Sequence, residues 1–347
     1  MTDDTYLMGL WYLAIPGRHV KTGRMVGKVF MERPILLGRR TDGTPFALRD
    51  LCPHRGVQLS KGSFDGECVT CPFHGWRFDT GGHCTAIPSL AEGQTVDIDK
   101  ISVRTFPCRE IQGNIWIYLS DAAPEDDAAL PSLFTIPEIG ARTSHVTTTL
   151  IFDTAMDNAV FGLLDPAHGA YVHRSRLWRQ PDTLKEKAKA YEPSPLGFTM
   201  VRHPPSSNSV IYRALGGDRT TEISFRLPGI RLEHVRVGAH HICNLTTITP
   251  LDGQHVEVTN CLYWTQRWLT LFTPFLSRFS QKFLAQDQWI IGLQNEGLKF
   301  NPRMMLINDA DMLQKWYVRL KKEWRAAQQE ERAFVNPVKP ATLRWRT

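Results

Sequence analysis

Cys52-Pro53-His54-Arg55-Gly56 and Cys71-Pro72-Phe73-His74-Gly75 decide how this chain is read. Sixteen residues separate His54 from Cys71. Each stretch offers one cysteine and one histidine on a tight turn, with a glycine close behind. Two thiolates and two imidazoles make a closed four-ligand metal site, and that donor set narrows the choice to zinc or a two-iron cluster. The twin arrangement favours the cluster. Two loops that each give one ligand to each iron supply two sulfurs on one iron and two nitrogens on the other.

Zinc has one further feature in its favour. Cys68-Val69-Thr70-Cys71 is a C-x-x-C pair of the kind zinc ribbons use. Cys68 then has no second pair, and Cys52-x-His54 is too short for an ordinary zinc knuckle. Cys68 is therefore expected to be a small apolar filler beside the cluster. The run C-P-H-R-G…C-P-F-H-G-W resembles the Rieske family. The resemblance continues through Trp76-Arg77-Phe78-Asp79, Gly81-Gly82 and Ile87-Pro88 and spans residues 8 to 120 or so. It implies a Rieske [2Fe–2S] cluster held by Cys52, His54, Cys71 and His74.

The 347 residues suffice for two domains with cores of their own. A hydrophobic content of 42% against 22% charged is that of a soluble globular protein. The net charge of +6 is scattered among mixed acids and bases, which argues against nucleic acid as a partner. A basic face still suits an acidic electron-transfer partner. Cys68, Cys84, Cys108, Cys243 and Cys261 form no regular framework and read as reduced thiols in a cytoplasmic protein. Thr2, Asp3 and Asp4 stand where an export signal is basic, and no apolar run is long enough to span a bilayer, so no membrane partner is expected. An aromatic stripe from Trp268 to Phe283, broken by Pro274 and Arg278, is expected in a core or a subunit contact.

Residues 9 to 120 hold short β-like runs such as Gly27–Phe30, Ile35–Gly38, Phe46–Leu48 and Ile115–Leu119, split by turn residues. That predicts a small all-β domain with the two knuckles at hairpin tips. Residues 121 to 140 read as a linker: Ala122–Ala129 is acidic and Ala-rich, and Pro124, Pro131 and Pro137 punctuate the stretch. The expected domains are 1–130 and 131–347. After the linker come a Thr-rich strand at His145–Phe152 and a partly helical Asp153–Arg176. A series of strands follows: Gly197–Arg202, Val210–Ala214, Thr221–Leu227, Ile230–Val237, Ala239–Thr249 and His255–Thr265. Gly216-Gly217-Asp218 and Asp252-Gly253 are turn signals between them. From Leu269 the chain turns helical and ends in Asp309–Phe334, where Leu313, Trp316, Tyr317 and Leu320 repeat at helical spacing. Strands segregated from helices make the fold class α+β. The resemblance implies a second domain of the helix-grip kind, a curved antiparallel sheet packed by helices.

A second metal site is expected there. Asp165-Pro166-Ala167-His168-Gly169-Ala170-Tyr171-Val172-His173 closely resembles the iron motif of Rieske oxygenases. Two histidines and one distant carboxylate form the facial triad that binds mononuclear Fe(II) and leaves the opposite face open. Residues five apart on a regular helix point about 140° apart, so His168 and His173 can share an ion only where the helix bends, ends or bulges, with Gly169 as the weak point. The family places its carboxylate on a late helix, and Asp287, between Gln286 and Gln288, resembles that segment. Apolar Phe283, Leu284, Trp289, Ile290 and Ile291 around it argue for burial, and a buried Asp needs a partner. Asp309 and Asp311 compete from a more polar stretch. Asp165 resembles the residue that bridges two subunits by accepting a hydrogen bond from a neighbour's cluster histidine, here His74. It also reads as a helix-capping Asp before Pro166. Asp157-Asn158 and the remaining histidines, His234 and His240-His241 included, carry no expected role.

The resemblance as a whole implies the terminal oxygenase of a Rieske non-haem iron system, of the short homotrimeric monooxygenase or demethylase type. It implies a [2Fe–2S] cluster and a mononuclear Fe(II). It implies electrons from a separate reductase or ferredoxin, O₂, and a hydrophobic aromatic or alicyclic substrate. A cis-dihydroxylating dioxygenase uses the same ligands, and a Rieske electron carrier without catalytic iron is the reading outside enzymes.

Overall fold

The run Leu10–Pro16 (β1) is buried along its whole length and pairs antiparallel with Asn114–Leu119, which brings the two ends of the first unit together. The computed structural model describes residues 6–122, 130–173, 184–204 and 218–347. The chain divides into two units, Met1–Thr135 and Ile136–Thr347.

The first unit contains only strands and short 3-10 turns among its described residues. After β1 come Arg24–Phe30 (β2), Arg33–Arg39 (β3), Pro45–Arg49 (β4), Ser63–Phe64 (β5), Cys68–Thr70 (β6), Arg77–Asp79 (β7), Cys84–Ala86 (β8), Cys108–Ile111 (β9) and Asn114–Leu119 (β10). They form three small sheets, ordered β1-β10-β9, β2-β3-β4 and β5-β6-β7-β8. The second knuckle sits at the tip of the β6–β7 hairpin. The first does not occupy a hairpin tip: it lies in the crossover from β4 to β5, which belong to different sheets. Buried Asp50 ties the ends of that crossover together by accepting from the Ser60 amide at 2.7 Å and the Ser60 hydroxyl at 2.6 Å.

The second unit is built on one eight-stranded antiparallel sheet. Its strands are Val146–Phe152 (β11), Glu186–Ser194 (β12), Gly197–His203 (β13), Arg219–Arg226 (β14), Ile230–Val237 (β15), His240–Pro250 (β16), Val256–Trp264 (β17) and Ala341–Arg346 (β18), in the order β11-β17-β16-β15-β14-β13-β12-β18. Met156–Leu164 (α1), Gly169–Val172 (α2), Thr273–Leu298 (α3) and Met312–Gln329 (α4) are its α-helices. The helical repeat read from the sequence is the buried face of α4, where Leu313, Trp316, Tyr317 and Leu320 are all buried. Trp316 meets Tyr191 and Phe198 of the sheet, and Tyr317 meets Phe225 edge-on. Lys321 and the Tyr317 hydroxyl both bond Asp157, which fastens α1 to α4.

The fold is α+β, as the segregation of elements predicts. Two strands escape the sequence reading: β12 and β18, whose alternating Lys, Glu, Arg and Thr carry little apolar signal. The expected strand at Val210–Ala214, the Gly216-Gly217 turn, Pro124 and the end of the Asp153–Arg176 stretch lie outside the described residues. No helix among the described residues is long and apolar enough to cross a membrane.

Candidate metal centres

The two knuckles of the first unit are built alike. The amide of Cys52 donates to the Val57 carbonyl and the Gly56 amide to the Cys52 carbonyl, both at 2.8 Å. The amide of Cys71 donates to the Trp76 carbonyl at 2.8 Å and that of Gly75 to the Cys71 carbonyl at 3.1 Å. Gly56 and Gly75 have φ of +70° and +71°, a left-handed turn that glycine adopts without cost. This shared turn is what the C-x-x-x-G spacing encodes. The cysteines lie in the core with Leu36, Val69 and Phe78, whereas His54 is exposed and His74 half-buried. The rings of His54 and His74 lie 4.7 Å apart. Trp76 stacks flat on His54 at 4.7 Å, and exposed Phe73 packs on His74 at 3.9 Å.

Burial pushes the Cys52 thiol above its ordinary value, and the Cys71 thiol in hydrogen-bonding contact adds to the rise. Such a thiol becomes a thiolate when a cation holds it. Partial desolvation, then the nearby His74 and Arg55 charges, lower His54 and favour the neutral imidazole that ligates metal. Among the described residues, only His168, His173 and Asp287 bring three ligand atoms within 4.8 Å of one another. No three of Cys52, His54, Cys71 and His74 do so. A tetrahedral zinc ion needs such convergence, and donors shared between two irons do not. Cys68 corrects one expectation. It is half-buried on β6, faces Thr85, and stands outside the core that holds Cys52 and Cys71; Cys84 fills that place.

In the second unit, Pro166 makes helical geometry unfavourable for the residue before it. Asp165 accordingly takes ψ 116° and ends α1 at Leu164. Its Oδ1 accepts from the Ala167 amide at 2.7 Å and more loosely from that of His168 at 3.3 Å, restarting the chain in the single turn α2. His168 precedes that turn and His173, at φ −92° and ψ 50°, ends it. The helix is not broken between the two histidines: it starts after the Asp165 break and ends at His173, and Gly169 is simply the first residue of α2.

Both imidazoles are held with Nε2 forward. His168 Nδ1 donates to the Asp165 carbonyl at 2.8 Å, and His173 Nδ1 donates to Gln286 Oε1 at 3.1 Å. Those bonds fix the tautomers that leave Nε2 a lone pair. His173 Nε2 lies 3.2 Å and His168 Nε2 3.6 Å from Asp287 Oδ1. His173 also stacks on Phe283 at 3.5 Å, and its Nε2 is buried without a hydrogen-bond partner among the described residues. Three ligands at right angles about one ion, each about 2.1 Å away, stand about 3 Å apart. The orphaned Nε2 and the convergence on one carboxylate oxygen fit such an ion. Asp309 and Asp311 are not in the group. Gln286, which holds the His173 ring, was left without a role by sequence reasoning; an amide beside a candidate ligand was the available signal.

The three groups line a cavity of about 350 Å³. Phe279, Phe283, Ile290 and Ile291 of α3, with Leu163 and Leu164 of α1, give it apolar walls. Its sheet side sets a polar group among apolar side chains such as Phe198, Ile223 and Leu262. Asn260 donates to Asn244 at 2.6 Å and to Thr246 at 2.9 Å and accepts from Ser280 at 3.1 Å. On β15, where side chains alternate, Glu233 lines the cavity and His234 takes the other face. There His234 and His241 share a hydrogen bond of 3.0 Å, with Glu138 3.3 Å from His241. Both histidines are buried and pair with each other, a structural part.

Residues 10–107 match the family model for the Rieske [2Fe–2S] domain. The chain is 33% identical over 175 residues to the oxygenase component of dicamba O-demethylase from Stenotrophomonas maltophilia, covering 49% of each chain. It thus spans about half the length of that relative. It is 26% identical to the 4beta-methylsterol monooxygenase of Methylococcus capsulatus, over 94% of this chain and 91% of that one. Crystalline dicamba monooxygenase bound to dicamba superposes with a TM-score of 0.72 at 22% identity, over 94% of this chain and 99% of that chain, a likeness of fold.

Proposed function

We propose, since the chain carries a Rieske [2Fe–2S] domain and its relatives are Rieske oxygenase components, that it is a terminal oxygenase of that kind. It inserts oxygen from O₂ into a hydrophobic aromatic or alicyclic substrate, hydroxylating or demethylating it, with electrons from a separate reductase or ferredoxin. The carrying observation is the convergence of His168, His173 and Asp287 at the wall of a largely apolar cavity. Two of the relatives, an O-demethylase and a methylsterol monooxygenase, support the monooxygenase reading.

Cys52, His54, Cys71 and His74 would hold the cluster, and His168, His173 and Asp287 the ion. When bound, the cluster carries single electrons and the ferrous ion activates O₂. The chain's own residues do the rest. Asp165 and Gln286 hold the two imidazoles in the ligating tautomer. Asp287 brings the charge that balances the cation. Phe283 and the α3 aliphatics keep water from the reacting face. Residues 1–130 then form the cluster domain with its linker and residues 131–347 the catalytic domain.

The assembly we propose is a head-to-tail homotrimer, in which Asp165 of one subunit accepts a hydrogen bond from His74 of the next. Asp165 is one-third exposed, so its carboxylate is open to a partner. Leu271, Phe275, Trp289, Phe300 and Met305 are exposed apolar side chains that a subunit contact would cover. The first part of the aromatic stripe, Trp268, Phe272 and Phe275, is thus exposed, whereas Phe279 and Phe283 line the cavity. We place the protein in the cytoplasm, in line with its seven free cysteines.

A product screen tests the function. The protein, NADH, a generic reductase and an aromatic library are incubated, and products are read by mass. Gain of one oxygen or loss of a methyl carbon supports the proposal. Gain of two oxygens assigns the dioxygenase. A protein that cycles electrons with no product from any compound, and holds no third iron, is an electron carrier.

A further inference from the structure

Strand β12 places Lys187, Lys189 and Tyr191 on the cavity wall. Beside them the cavity is lined by His203, Arg231 and Glu233. The triad and the apolar residues of α1 and α3 line the same cavity. The basic region is only partly neutralised from within. Arg231 has Glu233 at 3.6 Å, and Lys187 has an interaction of its own. Lys189, half-buried, has neither a hydrogen bond nor an ion pair with any described residue. His203 uses Nδ1 on the Val201 carbonyl at 2.9 Å, and Lys189, Lys187 and Glu233 all act on it electrostatically. A cation placed on a cavity wall without a partner loses hydration and gains nothing in return. Burial does lower the Lys189 amine.

On the oxygenase reading for what the cavity does, we propose that Lys189 is a specificity-determining residue that receives an anionic group of the substrate, a carboxylate or sulfonate, with His203 beside it. The substrate class is then an amphipathic organic anion: an apolar body against Phe283, Ile290 and Ile291, and one negative group at β12. The anion completes the charge of Lys189 and fixes which end of the molecule faces the triad. A neutral hydrocarbon fills the walls equally well but leaves Lys189 unpaired. Such a site rejects the uncharged analogue more strongly than an apolar wall rejects a wrong methyl group.

The test is equilibrium binding by calorimetry to the as-isolated holoprotein without reductase, so no turnover is involved. Matched acid and amide pairs serve as probes: benzoate and benzamide, 2-naphthoate and 2-naphthamide, cyclohexanecarboxylate and its amide. At least one acid should bind ten-fold or more tighter than its amide, and the preference should shrink as salt rises. Lys189→Met should bring that ratio near one while leaving amide affinity within two-fold. Lys189→Arg should restore most of it. Wild-type protein with no preference for any acid, including protein that binds none of the six compounds, overturns the proposal. So does a Lys189→Met variant that keeps the preference. A Lys189-dependent preference in a protein that makes no oxygenated product supports this assignment and removes the oxygenase reading, so the two fail separately.

Discussion

Replacing Gln286 tests how the mononuclear site is built. His173 is 3% exposed, and its Nδ1 hydrogen bond goes to Gln286 Oε1 at 3.1 Å. Gln286→Met keeps the length of the side chain and removes the acceptor. The imidazole then keeps an unsatisfied buried N–H, at a cost of about 1–3 kcal/mol. Its alternative is to move the proton to Nε2 and lose the lone pair that faces Asp287. At about 1.4 kcal/mol per factor of ten, either route weakens metal binding by about 10- to 100-fold, the range expected for partners that orient metal-bound histidines. The assay is competition of Fe(II), or Co(II) as a stable stand-in, against a chelator on protein stripped of its mononuclear metal. The reduced-state EPR signal of the cluster serves as the control and should not change. Gln286→Glu retains an acceptor and should bind metal at least as tightly as wild type. A Gln286→Met variant with wild-type metal affinity and an intact fold would refute this account of His173.

The remaining predictions address the cluster turns, the proposed bridge and the histidine pair. Gly56→Ala meets no atom within 4 Å and Gly75→Ala only ordinary contacts with Pro88, so their φ near +70° is the whole penalty. Each should cost about 1–2 kcal/mol, read as earlier loss of cluster absorbance in a urea titration, and the two effects should match. Asp165→Asn keeps an oxygen for the Ala167 amide but weakens a charge-assisted bond to a partner. It should retain both metals and the trimer yet slow reoxidation of the reduced cluster severely with substrate and O₂ present; reoxidation at the wild-type rate removes the bridge. Burial, aided by the Arg202 and His241 charges, lowers His234 to about 4. The unfolded chain therefore takes up a proton first, so stability is full above about pH 6.5 and is lost as pH falls toward 4. Urea unfolding from pH 7.5 to 5 should show this decline, at most about 2 kcal/mol over that range, and His234→Asn should flatten it.

Much of the fold was legible because its signals are local. The two knuckles declare themselves since one turn, Cys to Gly four residues on, fixes ligand spacing and backbone together. Asp165-Pro166 marks the end of α1 for a similar reason: proline acts on the residue beside it. What depended on distant pairing was harder. Asp287 was singled out by its resemblance to the family's late-helix segment, with its apolar neighbours in support, but Gln286 meets His173 only through contact with a residue far earlier in the chain. Cys68 and Cys84 exchanged places because strand register, not spacing from Cys71, decides which thiol reaches the core. Lys187 and Lys189 were invisible as cavity residues, since β12 carries too few apolar side chains to read as a strand. His234 and His241 come together through the β15–β16 register, where Cys243 stands opposite His234.

The most direct test of the whole account is the iron and acid-labile sulfide content of purified wild-type and Asp287→Ala protein, taken with the reduced-state EPR spectrum. Two metal centres of the proposed kinds require three irons and two sulfides per chain in wild type. Asp287→Ala should fall to two irons with the anisotropic signal of mixed cysteine and histidine ligation unchanged. Two irons in fully loaded wild-type protein, or an Asp287→Ala variant that still holds three, would contradict it.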